Sequence, residues 1–121
     1  DRLVVKENIR KKFQDKKLVL VDEVIDLATL TGACMVALGS EAAGIMGNDS
    51  EMVKSLIATA EKNGERFWEL PLWTEYADSL KSDIADMKNT GSRWGGAQTA
   101  GVFLQKFVTT CLRTTAVFPT L

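Results

Sequence analysis

Two stretches of the chain carry side chains of the kinds that bind or react. The first is Asp26-Leu27-Ala28-Thr29-Leu30-Thr31-Gly32, where two hydroxyls, a leucine and a glycine follow an apolar, strand-like run. The second is Lys81 to Gly96, "KSDIADMKNTGSRWGG", which is polar and punctuated by glycine. Asp26, Asp83 and Asp86 in these stretches are hard oxygen donors of the type that divalent cations prefer. Local pairing explains them better. Asp26 precedes a strand end where a carboxylate caps or pairs, and Lys81 and Lys88 flank Asp83 and Asp86. With no histidine anywhere, neither a Ser-His-Asp nor a Cys-His site can be assembled within this sequence, and the commonest zinc ligand is missing. A P-loop, a dinucleotide-binding glycine fingerprint and a GxSxG elbow are also lacking.

These stretches must be positioned by the elements around them. Leu18 to Val21 and Val24 to Thr29 are rich in aliphatic and β-branched residues, as in one kinked strand or two pieces of a buried sheet, with a parallel sheet the natural expectation. After the Thr31-Gly32 turn, Ala33 to Leu38 reads as a short helix and Ala43 to Gly47 as another strand. Asn48 with Glu51 three residues on resembles a capping box. Val53, Leu56, Ile57 and Ala60 then recur at helical spacing until Asn63-Gly64 supplies a left-handed stop. Phe67 to Trp73 brackets Pro71 and reads as an extended aromatic crossing, followed by a short helix from Thr74 to Leu80. The polar loop leads into Ala97, Ala100, Leu104, Phe107 and Val108, the apolar stripe of a further helix. Gly95, Gly96, Ala97, Ala100 and Gly101 open that helix and leave room for another backbone to approach closely. Residues 109–121 show no helical period, so the pattern assigns them no element. Alternating strands and helices imply an α/β layer.

Composition narrows the partners. A chain of 121 residues with 45% hydrophobic content is long enough for one core and too short for two. Fifteen basic and sixteen acidic residues give a net charge of -1, which provides no overall attraction for nucleic acid or an anionic membrane. Apolar runs break off well before the roughly 18 residues of a spanning helix, and the chain opens on Asp1-Arg2 without a charged-then-apolar leader. Cys34 and Cys111 form no CxxC pair. The expectation is a soluble cytoplasmic chain with reduced thiols.

Three ordered blocks are more specific than any of this. "VIDLATLTGACMVALG" (Val24 to Gly39), "GERFWELPLW" (Gly64 to Trp73) and "SDIADMKNTGSRWGGAQTAGVFLQKFV" (Ser82 to Val108) closely resemble successive blocks of the C-terminal catalytic domain of leucyl (cytosol) aminopeptidases. The resemblance implies a partial α/β domain, a mixed or parallel sheet flanked by helices, over residues 24–108. A divergent segment, 1–23, precedes it, and a divergent tail, 109–121, follows. It also implies a hydrolase that releases N-terminal amino acids from peptides, leucine preferred. That enzyme is a homo-oligomer, a hexamer, with two divalent metals, zinc with manganese or magnesium at the exchangeable site.

By the same resemblance, Thr29 to Gly32 is the strand-end lip of the substrate site. The Leu30 backbone is positioned to hydrogen-bond the substrate, and Thr29 and Gly32 help wall the pocket for its first side chain. Thr90 lies toward the leaving group. Arg2 matches an arginine that in the family holds a bicarbonate acting as general base; a solvated terminal arginine is the alternative. The departures from the family are equally specific. The metal-bearing "KG-x-TFDSGG" motif is absent, and only Asp1-Arg2-Leu3 echoes the end of "NTDAEGRL". "WAHLDIAG" gives way to "TTCLRTTAVFPTL", which removes a pocket wall and a sheet strand. The expectation is a fragment or aberrant product that binds no metal and is inactive alone. A non-catalytic module associating with full-length subunits is the reading from a different class.

Overall fold

The structure is a computed structural model and describes residues 22–108 and 113–119. Its four strands are β1 (Glu23–Leu27), β2 (Ala43–Gly47), β3 (Phe67–Glu69) and β4 (Arg113–Phe118), in the sheet order β1-β4-β2-β3. The sheet is mixed. β4 runs parallel to β1 and antiparallel to β2, and β3 runs parallel to β2. Of the mixed and parallel arrangements expected, the mixed one is realised, because β4, the last described strand, enters between β1 and β2 and runs antiparallel to β2.

β4 is the main departure from the sequence pattern, which left residues 109–121 without structure. Arg113 to Phe118 is a run of six residues with two threonines, a valine and a phenylalanine, types that suit a pleated surface. It lacks the outward polar alternation of a half-buried strand because it has cover on both faces: Thr115, Ala116, Val117 and Phe118 are all buried. A strand therefore does occupy the tail whose family block is replaced. The predicted piece at Leu18 to Val21 lies outside the described residues.

Three helices complete the layers: α1 (Ala33–Leu38), α2 (Ser50–Lys62) and α3 (Gly96–Gln105). Successive β4 residues alternate between two cores. Ala116 and Phe118 join Met46, Cys34 of α1 and Ala97 of α3 on one face. Val117 joins Ile45 and Val53 of α2 on the other, with Leu56, Ile57 and Phe67 packed around them. α2 follows the predicted helical stripe, but its cap differs from the expected box. Asp49 is the N-cap and its Oδ1 accepts from the Met52 amide at 2.9 Å. Asn48 instead uses Oδ1 to accept from the Thr114 amide at 2.8 Å, so it serves the start of β4. Glu51, without a capping partner, pairs with Lys54 on the exposed face. The segment Thr74–Leu80 is a 3-10 helix, and among the described residues no helix is long and apolar enough to cross a membrane.

Two outcomes test this arrangement. Phe118 is 1% exposed at the centre of the larger core, so Phe118→Ala should cost about 3–5 kcal/mol in a urea melt; an unchanged midpoint would mean that β4 is not in the sheet. Burial also raises the pKa of the Cys34 thiol and keeps it protonated at neutral pH. In a Cys111→Ser variant, Cys34 should react with a thiol reagent only once the chain is unfolded, and fast labelling of the folded chain would contradict the packing.

Candidate functional site

The lip begins where sheet pairing ends. The Ala28 amide donates to the Val117 carbonyl at 2.8 Å, and beyond it Thr29 and Leu30 have no backbone hydrogen bond among the described residues. Pairing stops because β4 reaches Pro119, which has no amide to offer. The Thr31 hydroxyl then accepts from the Ala33 amide at 3.1 Å and turns the chain into α1. Thr29 and Leu30 are exposed, Leu30 by 50%, so their peptide groups stand at the rim rather than in the core.

Gly32 has no local reason to be glycine. It is the N-cap of α1 with an ordinary φ of -72°, and a Cβ built on it meets nothing within 4 Å. Gly39, Gly64 and Gly95 differ, since each has a positive φ.

The opening of α3 is tied to this lip. Gly95 is left-handed, with φ 63°, and starts the helix. A Cβ on Gly96 would lie 3.0 Å from the Cβ of Ala33, the residue after the lip. The small residues in "GGAQTAG" thus permit close approach, as their types suggest, but the neighbours are side chains and not another backbone: a Cβ on Gly101 would fall 2.8 Å from the Met46 sulfur and 3.0 Å from Leu72 Cδ1. The polar loop joins the same helix through Gly91, whose Cβ would fall 2.6 Å from Thr99 Cγ2 and 2.9 Å from Ser79 Oγ. Composition pointed to the glycines; the Ser79 and Thr99 partners had no sequence signal, because they lie 12 and 8 positions from Gly91 on separate elements.

The other sequence candidates are not gathered in this way. Thr90 is exposed in the loop, adjacent to Gly91. Arg2 lies outside the described residues. Asp83 and Asp86 are exposed and Asp26 is half-buried in β1; among the described residues no three His, Cys, Asp or Glu side chains are grouped to hold a metal ion. The described donor set therefore does not fit a bimetallic centre. Near the end of β1, a groove of about 660 Å³ is lined by Leu27, Val117, Phe67 and Pro119 with Glu41 and Arg66 at its margin. It lies on the α2 side of the sheet, apart from α1 and α3.

Comparison with known proteins gives these features a context. Residues 2–116 match the family model described as the cytosol aminopeptidase family, catalytic domain, a metallopeptidase family. A probable cytosol aminopeptidase of Geobacter sulfurreducens is 61% identical over 85 residues, which are 70% of this chain and 17% of the relative. One from Chlorobaculum tepidum is 50% identical over 96 residues, 79% of this chain and 19% of the relative. A lysine-to-glutamate mutant of tomato leucine aminopeptidase shares the fold with a TM-score of 0.77 at 39% identity, over 85% of this chain and 20% of that structure. The chain thus spans about a fifth or less of the proteins it matches. With the family model covering nearly the whole sequence, and the mixed sheet and its helices matching a solved leucine aminopeptidase, the chain belongs to the cytosol aminopeptidase family and carries part of its catalytic domain.

Proposed function

We propose that this chain supplies the substrate-orienting part of a metalloaminopeptidase that removes N-terminal residues from peptides, apolar ones such as leucine preferred. The observation that carries this reading is Gly32, a glycine that neither backbone conformation nor packing requires. Empty space beside it suits an incoming side chain. The unpaired peptide groups of Thr29 and Leu30 suit the polar atoms of an extended peptide, because exposed donors and acceptors at a strand end fix orientation while an adjacent apolar wall selects the side chain. In this scheme Leu30 holds the substrate backbone, Thr29 and Gly32 border its first side chain, and Thr90 borders the leaving-group side. Arg2 would be the bicarbonate-holding arginine. Residues 24–108 form the part shared with the family domain, between the divergent segments 1–23 and 109–121. The family's homo-oligomeric state, a hexamer, and its cytosolic setting extend the same reading.

When bound, a pair of divalent metals, zinc with manganese or magnesium, supplies an activated water and polarises the scissile carbonyl. The described carboxylates do not fit such a pair, so this chain's share is binding and orientation. By itself it is inactive. An alternative, association with full-length subunits as a non-catalytic module, is favoured by β1: it pairs on one side only among the described residues and leaves Ile25 and Leu27 exposed beside Val117.

Two measurements test the proposal. In a complete cytosol aminopeptidase carrying this segment, Gly32→Val should lower kcat/KM for a leucine amide about tenfold or more beyond its effect on an alanine amide, through steric overlap. Equal losses would count against the pocket role. The purified 121-residue chain, made in a host without its own aminopeptidases, should show no turnover of a leucine amide with added zinc or manganese. Metal-dependent turnover, or two sub-micromolar sites in a calorimetric titration, would overturn that part.

A further inference from the structure

We propose that Thr99 and Ser79 form a seat that fixes Gly91, and that Thr99 is thereby a positioning residue for the Thr90 loop on the leaving-group side of the substrate. The inference rests on the proposed role of Thr90 and adds what sets its position.

The loop is held lightly on its approach to α3. Lys88 donates its amide to the Leu80 carbonyl at 2.8 Å, and Ser82 and Ser92 make only local turn bonds. Among the described residues no hydrogen bond involves Asn89, Thr90 or Gly91. The close contact of Gly91 is therefore the anchor nearest Thr90. Gly91 is not among the glycines of positive φ, so its glycine character answers to space and not to conformation. At 2.6 Å from Thr99 Cγ2, an added Cβ would force the loop away.

The methyl that sets this limit is itself fixed. Thr99 is buried, and its amide donates to the Gly95 carbonyl at 2.9 Å in the first turn of α3. Ser79 Oγ donates to the Tyr76 carbonyl at 2.9 Å, which commits its only proton. At the 3.4 Å Thr99–Ser79 contact, Thr99 Oγ1 is then the donor. This relay from Thr99 through Ser79 to the 3-10 helix orients the hydroxyl toward Ser79 and the methyl toward Gly91. Gly96, which abuts Ala33 beyond the lip, lies three residues before Thr99, so both occupy neighbouring positions on one face of α3. One helix face thus sets the separation of the lip and the loop.

The test is a double-mutant cycle of Gly91→Ala and Thr99→Ser, the second removing the methyl that the new Cβ would strike. In the full 121-residue chain, Gly91→Ala should raise tryptic cleavage after Lys88 and Arg93 several-fold, and the double variant should return it toward the parent rate. In a complete cytosol aminopeptidase carrying residues 24–108, Gly91→Ala should lower kcat/KM for leucyl dipeptides about tenfold, the size of a single displaced pocket contact. The loss should vary with the second residue, leave the leucine-to-alanine preference at the first unchanged, and be recovered in part by Thr99→Ser. No rescue in either assay, or a loss indifferent to the second residue, would overturn the seat as a positioning device. If Gly32→Val also left first-residue selection untouched, the lip reading would fail with it; a selective effect of Gly32→Val alone would confine the failure to this proposal.

Discussion

Pairing of β4 on both of its edges is the constraint on which the rest of the structure depends. Its amides and carbonyls are buried between β1 and β2, where each must find a partner or incur a cost of about 1–3 kcal/mol. Only the ladder can satisfy them. Once β4 is in place, its alternating residues divide the interior into two cores, one under α1 and α3 and the other under α2. The two are linked through the same six residues. Asn48 extends this dependence by closing the start of β4, while Arg113 pairs with Glu23 across the β1–β4 edge at 3.0 Å. That ion pair is half exposed and contributes little beside the burial.

Close approach is the second organising feature. A side chain on Gly47 would meet Val53, Thr115 and the Thr114 carbonyl at 2.6 to 3.0 Å, which locks α2 to the sheet. Comparable approaches at Gly44 and Gly101 hold α1 and α3 to β2, while those at Gly96 and Gly91 hold α3 to α1 and the polar loop to α3. Gly32 stands apart because it has open space beside it without the positive φ that accounts for Gly39 and Gly64. Packed interiors transmit small displacements because neighbouring side chains already occupy their rotamer minima. The stretch Thr29 to Gly32, which hangs from a strand end, is therefore held by its flanks: Ala28 in the sheet on one side and Ala33 beside Gly96 on the other.

Chemistry and orientation are divided unequally in this chain. In the proposed role, orientation falls to backbone atoms and small residues at Thr29 to Gly32, which need no titratable partner. The described carboxylates are dispersed: Glu51 and Asp78 each pair with a lysine three residues on, and both pairs are exposed. The Lys81 ammonium holds Asp78 below the usual carboxylate range, through their hydrogen bond first and their charges second. These contacts serve the surface. Trp73 stacked on Tyr76, and Arg93 placed over Trp94, likewise lie outside the two cores.

The sequence by itself determined the elements whose period or punctuation is local. α2 follows from Val53, Leu56, Ile57 and Ala60, and its end from Asn63-Gly64; β2 and the 3-10 segment fall where their residue types placed them. Three ordered blocks also sufficed to identify the family, because motif order and spacing are properties of the chain and survive without a fold. Other features needed tertiary structure. The cap of α2 moved from Asn48 to Asp49 because Asn48 is claimed by a strand 66 residues away. β4 was invisible in the pattern because a strand buried on both faces shows no alternation, and neither its place nor its antiparallel pairing with β2 is encoded nearby. The same holds for Gly91: its type is in the sequence, but the need for it arises from Thr99 and Ser79, which only folding brings to within 3 Å of where a Cβ on it would lie. Short-range spacing is fixed by covalent geometry, whereas long-range contact is decided by which buried surfaces find one another.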